Sequence, residues 1–83
     1  MGKRDTWIYE LKDGHEIVYY GLSCDPDRRE IEQANSGKSF THMNVVSIAL
    51  TRESAECREG EEIRRYQRQH GGRPPRYNTK KTY

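Results

Sequence analysis

Cysteine is scarce in this 83-residue chain: Cys24 and Cys57 form no C-x-x-C pair and are too few for a disulfide framework. That pattern fits a reduced, cytoplasmic protein. No apolar run approaches the roughly 18 residues of a membrane span, and no signal-peptide core is present, so no membrane partner is expected. Hydrophobic residues make up only 31% of the chain against 34% charged, so the core must be small. With one tryptophan and one phenylalanine, the six tyrosines supply most of the aromatic bulk and must serve both core and surface. The length suits one domain over 1–83, near the lower limit of what folds without staples, with 1–5 and 79–83 expected to be flexible.

Acidic residues are missing from the last quarter. From Ile63 to Tyr83 there are seven basic side chains (Arg64, Arg65, Arg68, Arg73, Arg76, Lys80 and Lys81) and no acidic one. Residues 1–50 carry six basic and eight acidic side chains, so the net charge of +2 hides this asymmetry. A basic segment of this kind points to a polyanion partner or to a solvated helix face with a tail.

What is present reads as a small α+β domain in the order β-β-α-β-α with an extended C-terminal tail. In "TWIYELK" Trp7, Tyr9 and Leu11 alternate with Thr6, Ile8 and Glu10, a strand pattern. Asp13-Gly14 is a turn dipeptide, and "EIVYYGL" forms the second strand. A turn centred on Gly14 places Tyr9 opposite Tyr19. Asp25-Pro26 opens a short helix as N-cap and first helical residue, running to about Asn35 before Ser36-Gly37. "KSFTHM" reads as a loop, and "NVVSIALT" (residues 44–51), the most apolar run, as a buried third strand completing an antiparallel sheet. Residues 53–70 form the main helix, starting near Thr51 or Arg52 and stopped by Gly71-Gly72. "RYNTKKTY" leaves it in extended form.

On this helix Ala55, Ile63 and Tyr66 share a core-facing stripe, and Glu59 lies four residues from both Ala55 and Ile63 on the same stripe. Glu62 lies beside it. A carboxylate aimed at a core is costly unless paired or holding a cation. The stripe is therefore the rim of a cleft, or Glu59 is a boundary residue paired with Arg58 or Arg29.

Five features in order resemble the GIY-YIG nuclease domain, found in excision-repair incision subunits, homing endonucleases, restriction enzymes and phage endonucleases. Trp7-Ile8-Tyr9 stands for G-I-Y, and Tyr19-Tyr20-Gly21, ten residues on, for Y-I-G. Arg29 occupies the arginine position eight residues after the second glycine. Ala55, Glu59 and Ile63 fit the helical A-x-x-x-E-x-x-x-I, and Pro75-Arg76-Tyr77-Asn78 fits the closing P-x-Y-N. Trp7 and Tyr20 depart at packing positions. Gln33 replaces a histidine present in many members, and Leu22 a lysine of repair-type members.

The resemblance implies a metal-dependent endonuclease hydrolysing DNA phosphodiester bonds. Glu59 would hold one Mg²⁺ or Mn²⁺, and Arg29 would contact the scissile phosphate. Tyr19, supported by Tyr9, would be the general base or water-orienting phenol, and Asn78 a buttress. A phenol with a pKa near 10 serves as a base only if a cation lowers it; His15 and His42 are the alternatives by type. Arg28, Arg64, Arg65, Arg68, Arg73, Arg76, Lys80 and Lys81 would meet nucleic-acid backbone, Arg28 loosely or not at all. RNA stays open as a substrate. Since relatives add a separate DNA-binding domain, specificity would come from such a domain or subunit, from a homodimer, or be low. The alternative is a catalytically inactive nucleic-acid-binding module of the same fold.

Overall fold

A computed structural model of the chain describes residues 3–78. Of the ends expected to be flexible, 1–5 and 79–83, residues 1–2 and 79–83, and with the latter Lys80 and Lys81, lie outside the described residues. The architecture is α+β: a three-stranded antiparallel sheet with two helices, in the expected order.

Strand β1 (Trp7–Asp13) and strand β2 (Glu16–Ser23) form a hairpin, and strand β3 (His42–Val45) pairs with the other side of β1. The sheet order is thus β2-β1-β3. β1 is central, and its Ile8, Tyr9 and Leu11 are almost completely buried. Tyr9, Leu11 and Val18 form the core cluster, closed by Tyr19, Phe40, Met43 and Tyr77.

The hairpin register differs from the expected one. Asp13 pairs with Glu16 and Lys12 with Ile17, but Leu11 then pairs with Tyr19, leaving Val18 as an extra residue. This β-bulge places Tyr9 opposite Gly21 rather than Tyr19. Without it, Tyr9 would face Tyr20, and Tyr19 would point to the opposite side of the sheet. The bulge keeps the two phenols on one face, as diagonal neighbours with ring centroids 6.0 Å apart.

Helix α1 (Pro26–Ala34) starts as expected: Pro26 is its first residue, and the Arg28 N–H donates to Asp25 Oδ1 at 3.3 Å. Helix α2 (Arg52–Gln69) is capped by Thr51, whose hydroxyl accepts from Ser54 N–H at 3.1 Å. At its other end Gly71 and Gly72 adopt φ of +68° and +90°, which turns the chain back so that Gly72 N–H donates to the Gln67 carbonyl at 2.7 Å. α2 packs across β2 and β1 through Ala55 and Tyr66. Among the described residues no helix is long and apolar enough to cross a membrane.

Two further expectations are corrected. The third strand is not the buried run 44–51; it begins two residues earlier, ends at Val45, and is a mostly exposed edge. Its ladder stops because Ser47 intervenes. Val46 N–H still donates to the Ile8 carbonyl (2.9 Å), but Ile8 N–H is taken by Ser47 Oγ (2.9 Å) instead of a backbone carbonyl. The chain then swings outward, leaving Ile48 78% exposed, and returns only at the Thr6–Leu50 bridge. The tail is also tighter than expected, since Arg76–Asn78 closes a 3-10 turn against β2.

Candidate active site

The site begins with Gly21. A Cβ there would lie 2.5 Å from Tyr9 Oη and 2.7 Å from Tyr19 Cε2, closer than any side chain permits. Glycine is therefore what lets the two phenols converge over β2. Tyr9 is fully buried and Tyr19 half-buried, and their rings are neighbours with centroids 6.0 Å apart.

Burial pushes the Tyr9 hydroxyl up to about 12, opposed by a hydrogen bond from Gln33 Nε2 at 2.8 Å. Tyr19 is also raised, first by burial and then by the Glu59 carboxylate; the Tyr9 hydroxyl and the Arg29 guanidinium oppose both. Left to these neighbours alone, Tyr19 is a neutral phenol at pH 7.

Arg29 comes from the first turns of α1 beside Ser23, Cys24 and Asp25, which line a cleft with it. Its Nη1 pairs with Glu32 at 3.1 Å, and Glu32 also holds Arg28 at 3.3 Å. Its Nε is buried and has no hydrogen-bond partner among the described residues. A buried donor on a charged group is costly to leave unpaired.

Glu59 stands half-buried on the Ala55–Tyr66 side of α2, as its helical spacing implies. Burial first and Glu56 second raise its carboxyl, and Arg52 lowers it. It enters no ion pair or hydrogen bond among the described residues, so neither Arg58 nor Arg29 is its partner. Glu62 is the structural acid: with 12% of its side chain exposed, it is held by Arg58 at 3.4 Å and by Arg65. Among the described residues no group of three or more His, Cys, Asp or Glu converges as a metal cluster. The donor set is therefore one unpaired carboxylate. That suits a hard ion such as Mg²⁺ or Mn²⁺, which keeps several waters, and does not suit zinc.

Asn78 reaches the same place from the 3-10 turn, where its side chain holds the backbone of Tyr20 at both ends. Its side chain makes no hydrogen bond to either phenol among the described residues. Tyr9, Tyr19, Arg29, Glu59 and Asn78, about seventy residues apart at the extremes, are thus brought around one stretch of β2.

The basic side chains divide into two groups. Arg28, Arg65 and Arg76 are engaged with acids: Arg76 spans Glu16 at 3.3 Å and Asp13 at 3.9 Å across the hairpin tip. Arg64, Arg68 and Arg73 enter no ion pair among the described residues. Arg64 and Arg68 line a cleft along α2 with Arg58 and Arg65. His15 and His42 are exposed, and His42 sits on the β3 edge bonded to Thr41. His70 stacks on Tyr66, with ring centroids 3.7 Å apart, at the end of α2.

Two residues of the site lack a functional motif. Lys38, in the loop before β3, lies 5.2 Å over the Tyr19 ring and 6.0 Å from that of Tyr77. Gln33 stands only as a departure from a motif, yet its amide reaches Tyr9. Its spacing of one helical turn after Arg29 was the available signal; Lys38 had none. Comparisons of the chain with protein-family models, with curated proteins and with solved structures return no match.

Proposed function

We propose that the chain is a GIY-YIG-type endonuclease that hydrolyses phosphodiester bonds in DNA with one divalent metal. The observation that carries this reading is the buried, unpartnered Nε of Arg29 beside the Tyr9–Tyr19 pair. A guanidinium with an unused donor is matched to an oxyanion such as a phosphate, and its hold strengthens as charge builds on the phosphoryl oxygens. Nothing in a purely structural role for Arg29 uses that donor.

Glu59 is the residue that would hold Mg²⁺ or Mn²⁺. Bound there, the ion would neutralise the negative field that raises Tyr19 and polarise the scissile phosphate. Tyr19 orients or deprotonates the attacking water, and Tyr9, crowded against it over Gly21, supports it. Asn78 acts as a positioning residue by fixing the backbone between Tyr19 and Gly21. Arg64, Arg68 and Arg73 supply backbone contacts that carry no sequence information. Sequence preference would then depend on a second copy or on a separate DNA-binding domain or subunit. Exposed, unpaired Cys24 and Cys57 support a reducing, cytoplasmic setting.

The test is nicking of supercoiled plasmid with Mg²⁺ or Mn²⁺, run in parallel on RNA. Cleavage by wild type is expected to vanish in Glu59→Ala and survive in Glu62→Ala. The reverse pattern would place the metal one turn along α2. DNA binding without cleavage in either metal would instead identify an inactive binding module.

A further inference from the structure

A chain of polar contacts leads from the surface to Tyr9, and its donors and acceptors run in one consistent direction. Lys38 Nζ lies 3.5 Å from Ser36 Oγ. An ammonium has only donors, so the Ser36 oxygen accepts there. The one Ser36 hydroxyl proton faces Gln33 and is shared between its backbone carbonyl at 2.7 Å and its Oε1 at 3.3 Å. With Oε1 engaged as an acceptor, the other end of the amide presents its N–H groups, and Nε2 donates to Tyr9 Oη at 2.8 Å. A phenol has one proton. With its oxygen receiving from Gln33, the Tyr9 proton is free for the partner crowded beside it over Gly21, which is Tyr19.

We propose that Gln33, held in one amide orientation by Ser36 and Lys38, is a positioning residue that makes Tyr9 donate its hydroxyl proton to Tyr19. The inference deepens the endonuclease reading, since a donor aimed at Tyr19 stabilises the phenolate that this reading uses as base. No proton is transferred in the resting state; the chain fixes only which oxygen donates. Other groups facing the pair fit this polarity. Arg29 from α1 and Lys38 from the loop are cations, and neither can accept from Tyr9. Glu59 from α2 is the acid that acts on Tyr19. Gln33 is itself buried, so water does not compete for its amide.

Glutamate is nearly isosteric with glutamine but only accepts when ionised. In Gln33→Glu the Tyr9 proton should turn to the new carboxylate, leaving Tyr9 as an acceptor toward Tyr19. The experiment is NMR of the metal-free, DNA-free protein, observing the Tyr9 hydroxyl proton and its nuclear Overhauser contacts. Wild type should show that proton close to the Tyr19 ring and to the Gln33 amide. Gln33→Glu should lose the Tyr19 contact, and Ser36→Ala, which leaves the amide free to flip, should weaken it. Turnover should fall about 10- to 100-fold in Gln33→Glu with KM unchanged, an effect of the size expected for a general base out of poise. A Tyr9 proton that keeps its contact to Tyr19 in both variants, or lacks it in wild type, would overturn the inference. Since the spectra need neither metal nor DNA, an intact proton pattern in a wild type that cuts nothing would sink the endonuclease reading and leave this one standing.

Discussion

Asn78 holds Tyr20 by both of its backbone groups: its Oδ1 accepts from the Tyr20 N–H at 2.8 Å, and its Nδ2 donates to the Tyr20 carbonyl at 3.0 Å. Tyr20 lies on the outer edge of the hairpin, because β2 pairs only with β1. The side chain of Asn78 therefore replaces the missing neighbouring strand at the one residue between Tyr19 and Gly21. Replacing it by alanine strands a donor and an acceptor in a partly buried place. The expected cost is about 1–3 kcal/mol, read from urea denaturation. Cleavage should fall as well, because Tyr19 loses its backbone anchor. Asn78→Asp keeps the acceptor and should retain more stability than the alanine variant.

Gly21→Ala tests the convergence of the phenols. The added methyl would sit within 2.7 Å of both rings, so one of them must move. Tyr9 is locked in the core with Leu11 and Val18, which makes the more exposed Tyr19 the ring that yields. Overpacking of this kind costs about 1–3 kcal/mol. The sharper expectation is kinetic: plasmid nicking should drop by about 100-fold or more while the circular dichroism spectrum stays that of wild type. Unchanged nicking would show that the relative placing of Tyr9 and Tyr19 is irrelevant to the chemistry.

Much of this arrangement was readable from the residues, and what was not has physical causes. Helix ends were legible because Asp25-Pro26, Thr51 and Gly71-Gly72 act locally, through caps and backbone preference. Glu59 was legible because helical spacing ties it to Ala55 and Tyr66. The register of the hairpin was not, since a bulge at Val18 depends on which residues the sheet can bury and leaves no sequence mark. The third strand was misplaced for a related reason: apolar 44–51 has the composition of a core strand, but one hydroxyl at Ser47 takes the ladder bond and the run leaves the sheet. Lys38 could not have been found, because its position over Tyr19 depends on how the 36–41 loop folds back.

The split of the arginines predicts unequal effects on DNA affinity. Arg64, Arg68 and Arg73 have no acid to release before meeting a phosphate, whereas Arg65 and Arg76 must first break their ion pairs. Single alanine substitutions at the first three that remove a phosphate contact should each flatten the plot of log affinity against log salt by about 0.9. Substitution of Arg65 or Arg76 should change that slope less. Arg76→Ala should instead loosen the hairpin tip slightly, an effect that shrinks in salt. Fluorescence anisotropy with one duplex from low to moderate salt measures the slopes. Equal slopes for all five variants would mean that the ion pairs do not persist in solution.

Glu59 sets function against stability, and pH exposes the conflict. Burial and Glu56 raise its carboxyl above the unfolded value of 4.5, so the folded chain holds this proton more tightly than the unfolded one. Between the two values the folded state binds more protons, and stability must fall as pH rises through that window. Below the unfolded value the contribution is fully present; above the folded value it is lost. In metal-free protein, Glu59→Gln removes this penalty, so the variant should melt above wild type at pH 7 and converge with it toward pH 4. Cleavage by the same variant should be at background. Adding Mg²⁺ or Mn²⁺ should reverse the order for wild type alone, since an ion that binds only the folded state adds about 1.4 kcal/mol at ten times its Kd. Thermal melts of both proteins across pH, with chelator and then with metal, give all three readings. A Glu59→Gln protein that melts below wild type at pH 7 without metal would mean that the carboxylate is already satisfied, and that Glu59 is no place for a cation.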